Sequence, residues 1–368
     1  MIPVAEPLIT TEDMEYAGQA LASGWISSAG EFLDRFERRW AEICGMPYGI
    51  AVSNGTVALD IAVGLIDLRP GDEVIMPTFT IISAALAVIR AGGVPVLVDS
   101  HPTNWQMDAA QIEQKINSKT KAILVVHIYG HPADMDHIME LAARYDLKVI
   151  EDAAEVHGAE YKGRKCGGIG DISTFSFYAN KLVTTGEGGM VLVRDEALAE
   201  RARSLRNLCF QRGRRFYHEE LGYNFRLTNI QAALGCSQLE RLDDIVRRKR
   251  AIAHGYSVRL KDVAQVRLPS EEAWAKSVYW VYGLTLDETV PLDADTVLRR
   301  LADRQIEARP FFLGMHEQPV FIKMGLFKDE RYAVAERLAR RGFYIPSGLT
   351  LSEKQMDRVV GELKEALS

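Results

Sequence analysis

AILVVHIYGHPADMDHIMELAARYDLKVIEDAAEVHGA, residues 122–159, reads as a strand, a crossover helix and a second strand. Its two apolar runs, AILVVHIY (122–129) and LKVIED (147–152), are near-continuous Val/Ile/Leu, the pattern of strands buried on both faces of a parallel sheet. Between them, ADMDHIMELAARY spaces its apolar residues as one helical face does. The alternation extends in both directions. EVIMP (73–77) and VPVLVD (94–99) come before, with TVALDIAVGLI and SAALAVIRAG as further helices. STFSFY (173–178) and GMVLVRD (189–195) come after, joined only by ANKLVTTGEGG, a link too short for a parallel crossover. The expected fold class is α/β, with a large mixed and mostly parallel sheet.

Outside this block, Thr10 caps a first helix with Asp13 in a capping-box-like position. Met14, Ala17 and Leu21 form its expected apolar stripe, and Gly24 ends it. Beyond the sheet, Leu239, Leu242, Val246, Ala253, Tyr256 and Leu260 predict one long helix, in which Arg247 to Arg250 read as a solvated basic face. The pattern then changes to VYWVYGLTL (278–286), with helices around 292–304, 329–342 and 352–367. The expected division is a large α/β domain over residues 1–245 and a small α+β domain over residues 246–368, joined by the long helix. A chain of 368 residues exceeds what one hydrophobic core serves, which fits two unequal domains.

Composition narrows the function classes. Hydrophobic residues at 47% and charged residues at 26% are those of a folded globular protein. Fifty acidic residues against 44 basic ones give a formal net charge of −6, which argues against nucleic acid as the partner. No apolar run reaches membrane-spanning length, and MIPVAEPLITTEDMEYAG lacks the basic and apolar regions of a signal peptide. Cys44, Cys166, Cys209 and Cys236 are far apart and contain no C-x-x-C pair, so no metal site is expected and a reducing, cytoplasmic setting is.

Three segments carry chemistry. In SFYANKLVTTGEGGMV (176–191), Lys181 follows a strand end and precedes a glycine-rich turn, a position suited to Schiff-base formation; alone it reads more readily as a solvated turn lysine. In VIEDAAEVHGA (149–159), Asp152 ends a strand where a carboxylate can face a pyridinium nitrogen, although a helix N-cap is the commoner role. Glu155 and His157 read equally as first-turn helix residues. In AVSNGTVALDIAV (51–63), Ser53 to Thr56 precede a helix, which makes either a phosphate cradle or simply a good helix start. Together the cradle, the acid and the lysine are the three anchors of pyridoxal 5'-phosphate.

These segments, with SGWISSAGEFLDRFE (23–37), EVIMPTFT, GYNFRLTNIQAALG and SGLTLSEKQ, resemble the DegT/DnrJ/EryC1/StrS sugar aminotransferase family over essentially the whole chain. The resemblance implies the fold type I (aspartate aminotransferase-like) architecture, pyridoxal phosphate as cofactor, and transamination of a nucleotide-linked keto-sugar with glutamate as donor. It makes Lys181 the internal-aldimine lysine and Asp152 the partner of the pyridine nitrogen. Gly55, Thr56 and Ser176 would bind the cofactor phosphate, and Asn224 would reach it from the neighbouring subunit of a homodimer with shared sites. Two positions depart from the family's pattern: Glu155 stands where Gln or His is usual near the pyridoxal hydroxyl, and Ile81 where an aromatic ring usually covers the cofactor.

Candidates for holding the substrate are Arg309, Phe311 and His316, against which stand strong alternative readings of Phe311 as core and His316 as a surface histidine, and Trp25, which reads equally as a packing residue. The stretches 215–233 and 308–321 resemble perosamine synthases more closely than dTDP- or UDP-sugar aminotransferases, which implies a GDP-4-keto-6-deoxymannose substrate. A sugar dehydratase of the same fold carries histidine where this chain has Lys181. A non-catalytic regulatory relative is opposed by the retained anchors, and a nicotinamide dehydrogenase by the missing G-x-G-x-x-G.

Overall fold

The computed structural model describes residues 1–211, 213, 214 and 216–368. Seven strands form the main sheet: β1 (Tyr48–Val52), β2 (Glu73–Pro77), β3 (Val94–Val98), β4 (Thr120–Val126), β5 (Lys148–Asp152), β6 (Ile172–Ser176) and β7 (Gly189–Val193). Their order is β1-β7-β6-β5-β4-β2-β3. All pairings are parallel except those of β7, which runs antiparallel to both β1 and β6. The predicted runs fall on β2 to β7. Only β1, the short YGIAV, was not foreseen.

The register places the site. Gly189 is opposite Val52 on one side and Ser176 on the other, so the ends of β1 and β6 and the start of β7 share one line. Asp152 ends β5 at the same edge, paired with Thr174. The loops that leave β1, β2, β5 and β6 therefore converge at the carboxyl edge of the parallel strands, where open α/β sheets bind ligands.

A second sheet follows: β8 (Val266–Arg267), β9 (Tyr282–Leu286), β10 (Arg309–Pro310) and β11 (Gly342–Ile345), in the order β8-β9-β11-β10. Its core contains Tyr256, Tyr282, Phe343 and Leu363, and also Ile2, which pairs with Ile306. The stretch from Phe311 to Leu338, although late in sequence, packs into the core of the main sheet.

Three expectations from periodicity are corrected. Helix Thr11–Ala22 has its capping box at Thr10, but it buries Asp13 and Ala20 and leaves Met14 and Leu21 exposed. The reason is polar: Asp13 accepts two bonds from the Arg241 guanidinium, at 2.8 and 2.7 Å, and one from Ser237 Oγ at 2.7 Å. The expected single long helix is two, Asn229–Glu240 and Leu242–Leu260, broken at Arg241. Finally, the basic face is not uniformly solvated, because Lys249 is buried and bonded to main-chain oxygens. The apolar stripe of Leu242–Leu260 is taken up within the chain by Leu242, Ile245, Val246, Ile252 and Leu260.

Candidate active site

A cleft of about 560 Å³ opens at the carboxyl edge, and its wall contains Gly55, Thr56, Ile81, Asp152, Glu155, Ser176 and Lys181. One end is the start of helix Gly55–Gly64. Asn54 caps it, accepting from the Val57 amide at 3.0 Å. The first main-chain bond into the cap carbonyl comes from Ala58, so the Gly55 and Thr56 amides precede the helical ladder and face the cleft with the positive end of the helix dipole. The sequence needs glycine here: a Cβ on Gly55 would lie 2.7 Å from Ser176 Cβ. It needs one at Gly189 as well, where a Cβ would lie 2.3 Å from the Asn54 carbonyl oxygen. These two contacts clamp the helix start against β6 and β7. Thr56 Oγ1 and Ser83 Oγ share a hydrogen bond of 2.9 Å beside it.

At the centre, Lys181 follows a turn in which its amide donates to the Tyr178 carbonyl at 2.9 Å. Its Nζ is 3.9 Å from Glu155 Oε1 and 3.6 Å from the centroid of the Trp280 ring. Burial holds the Lys181 amine below the ordinary lysine value, while Glu155 and Asp152 pull it back up. Burial pushes the Glu155 carboxyl up to about 7, against the opposing pull of Lys181 and of the Tyr129 amide, which donates to Glu155 Oε2 at 2.6 Å. Asp152, also buried, is raised by desolvation although it accepts from the Ala154 amide at 3.1 Å. His157 stacks on Phe177 and is pushed down to about 3 by burial, so it stays neutral.

The cleft is built for a polar, anionic, flat guest. It offers free amides at a helix start, a buried acid, an amine depressed toward its nucleophilic form, and a buried Thr80 hydroxyl with no hydrogen-bond partner among the described residues. Among the described residues, no cluster of His, Cys, Asp or Glu is arranged to hold a metal ion, and no helix is long and apolar enough to cross a membrane.

The DegT/DnrJ/EryC1/StrS aminotransferase family model matches residues 7–364. The chain belongs to this family. Its sequence is 42% identical to a GDP-perosamine synthase of Escherichia coli O157:H7 over 367 residues, covering 100% of this chain and 99% of that protein. It is 40% identical to a GDP-perosamine synthase of Caulobacter vibrioides, covering 100% of this chain and 98% of that protein. Among solved structures, the aminotransferase TlmJ from Streptoalloteichus hindustanus superposes with a TM-score of 0.93 at 32% identity, covering 100% of this chain and 99% of the other. The chain is therefore a pyridoxal phosphate-dependent aminotransferase of fold type I. The cleft fits that cofactor, since the amides of the helix start suit its phosphate and Lys181 its aldehyde.

The other expected residues lie apart from this wall. Phe311 is buried among Trp105, Tyr129 and Phe79, which corrects its assignment to the substrate; its neighbour Phe312 faces the cleft instead. His316 is likewise inside the fold, sharing a hydrogen bond with Thr78 Oγ1 at 2.8 Å and lying 3.3 Å from Glu336, so it is not presented to a ligand. Arg309 pairs with Glu307 and lines an adjoining recess of about 360 Å³ that shares Tyr178, Asn180, Trp280 and Tyr344 with the cleft. Trp25 and Asn224 are exposed and outside the wall in this chain; Asn224 Oδ1 accepts from Arg226 at 2.8 Å. Arg215, which begins the stretch 215–233, lies outside the described residues. Sequence reading did not find Trp280, Tyr178, Phe312 or Tyr344 at the cleft. Trp280 was visible only as one aromatic in VYWVYGLTL, and nothing local announces that its ring covers a lysine 99 positions earlier.

Proposed function

We propose that the chain transfers an amino group from glutamate to the keto carbon of a nucleotide-linked sugar, converting GDP-4-keto-6-deoxymannose to GDP-perosamine. The observation that carries the reading is Lys181, buried between Glu155 and the Trp280 ring at a strand-end cleft beside a phosphate-cradling helix start. The choice of sugar rests on likeness to two relatives named GDP-perosamine synthase.

When bound, pyridoxal phosphate supplies an exchangeable carbonyl and a ring that withdraws electrons from the carbon being deprotonated. The Gly55 and Thr56 amides, with the Thr56 and Ser176 hydroxyls, would take its phosphate. Asp152 would hold a proton on the ring nitrogen, Glu155 would bond the ring hydroxyl, and Ile81 would cover one ring face by van der Waals contact. Lys181 Nζ would be the base that takes the α-proton of the donor and the acid that returns one to the product. Burial lowers its basicity, which favours the neutral amine that acts as base. Arg309, at the neighbouring recess, offers a cation to a diphosphate. Asn224 fits a homodimer with shared sites, in which the partner's copy would complete the phosphate site, and Trp25 remains a candidate for the substrate. A division at residues 245 and 246 is supported by the second apolar core, while Ile2 and the stretches 278–281 and 311–338 cross between the two cores.

The test is kcat/KM with glutamate across GDP-, dTDP- and UDP-linked 4-keto-6-deoxyhexoses, together with Lys181→Ala. The expected result is a strong preference for the GDP sugar and loss of turnover in the variant. A preference for a dTDP- or UDP-sugar overturns the substrate and leaves the aminotransferase; full activity in Lys181→Ala overturns the assignment of Lys181.

A further inference from the structure

Lys249 is the residue that the chemistry above leaves unused. It sits on helix Leu242–Leu260, is only 4% exposed, and among the described residues has no carboxylate within ion-pairing distance. Its Nζ donates to the Trp280 carbonyl at 2.9 Å, to the Ser347 carbonyl at 2.5 Å and to Ser347 Oγ at 3.1 Å. Burial pulls its pKa down to about 7, yet three acceptors call for all three hydrogens of an ammonium. A buried cation with no counter-ion is expensive, and a tie between two main-chain carbonyls could be made by a neutral amide. What lysine adds is three donors on one tetrahedral centre, able to close oxygens from two separate segments. Those segments are the entry to β9, at Trp280, and the exit from β11, at Ser347.

Trp280 is held at its other end too. Its indole Nε1 donates to the carbonyl of Asn180, the residue before Lys181, at 2.9 Å, and its ring lies 3.6 Å from Lys181 Nζ. The line of contact therefore runs from Lys249 to the Trp280 main chain, and from the Trp280 ring to the amine. We infer that Lys249 is a positioning residue for Lys181: by fixing the main chain at Trp280 it keeps the indole face over the ε-amine. The inference rests on the reading of Lys181 as the cofactor-binding lysine. An aromatic face favours the cationic amine. The groups that act on the Lys181 charge are Glu155 and Asp152, with His157 neutral beside them; Lys249 has no direct part, so its influence must pass through Trp280.

The experiment follows the rate at which the cofactor-free full-length chain captures pyridoxal phosphate as a function of pH, because only the neutral amine condenses with the aldehyde and releases water. Borohydride trapping and peptide mass spectrometry identify the lysine, and thermal unfolding is recorded in parallel. Lys249→Met should lower the pH midpoint of capture by about half a unit to one unit, the size of a lost cation–π contact. Trp280→Ala should do the same, and the double variant should shift no further than Trp280→Ala alone. Ser347→Ala, which removes one of the three bonds and keeps the ammonium, should give a smaller shift in the same direction and serves if Lys249→Met does not fold. An unshifted midpoint in Lys249→Met, or in Ser347→Ala where that variant serves, overturns the inference whatever happens to thermal stability. So does an equal shift from Lys249→Met in the Trp280→Ala background. Capture at a lysine other than Lys181 in the wild-type chain overturns the reading of Lys181 and this inference with it; capture at Lys181 with no shift overturns this inference alone.

Discussion

Glu155 Oε1 lies 3.9 Å from Lys181 Nζ, and each holds the other's proton in check. The carboxylate pulls the lysine up, and the lysine pulls the carboxyl down from where burial alone would put it. Glu155→Gln removes one side of this balance. The pH midpoint of cofactor capture by Lys181 should fall by about one unit, because the amine loses its nearest negative charge. A pH series of capture rates checks this, and a midpoint that rises contradicts it.

Gly55→Ala tests the cradle. The new methyl would stand 2.7 Å from Ser176 Cβ, and the overpacking costs about 1–3 kcal/mol. Part of that strain falls on the helix start itself, so pyridoxal phosphate should bind about tenfold more weakly. Fluorescence titration of the cofactor, with thermal unfolding alongside, gives both quantities.

Glu151, which follows β5 residue Ile150 and points away from the cleft, is a structural carboxylate. It accepts from the amides of Gly167 at 2.8 Å, Ile169 at 2.7 Å and Gly170 at 2.6 Å, and pairs with His127 Nε2 at 3.0 Å. Burial raises its pKa, but His127 and these amides outweigh that and leave it below the ordinary glutamate value. A carboxylate lowered in the folded state stabilises above its unfolded pKa and loses that contribution as pH falls through the folded one. Glu151→Gln leaves amide donors unpaired and should cost about 1–3 kcal/mol at neutral pH, with the gap from wild type narrowing below about pH 4. Denaturant unfolding at the two pH values measures it.

The proposed sharing of sites between subunits predicts complementation. Lys181→Ala and Asn224→Ala are each expected to be inactive alone. Random subunit exchange makes half the dimers mixed, each with one intact site of two, so activity should return to roughly a quarter of wild type. No recovery despite exchange verified by native mass spectrometry would place both residues' partners within one chain.

The sheet was readable because its strands are buried on both faces and so carry unbroken apolar runs. β1 was not, since a glycine interrupts the apolar run of YGIAV and its strand partner, β7, is far off in sequence. Lys181, Asp152 and the Gly55–Thr56 start were readable because each stands at the end of a visible element. What escaped was set by distant partners. Asp13 is inside because Arg241 waits for it, and Lys249 is inside because two carbonyls do. Phe311 and Phe312 are adjacent aromatics, and local pattern gives no means of deciding which faces the core.

The antiparallel pairing of β7 with both β1 and β6 also imposes a sequence of events during synthesis. Among the described residues, β1 pairs with no strand of the sheet other than β7, which is made 137 residues after it, counting from Val52 to Gly189. A nascent chain that has delivered the helix start, the acid and the lysine still lacks the strand that aligns them. Pairing across so long a loop is slow to close. Cofactor capture should thus begin only after residue 193 has left the ribosome, which would make it a timer for completion of the main sheet.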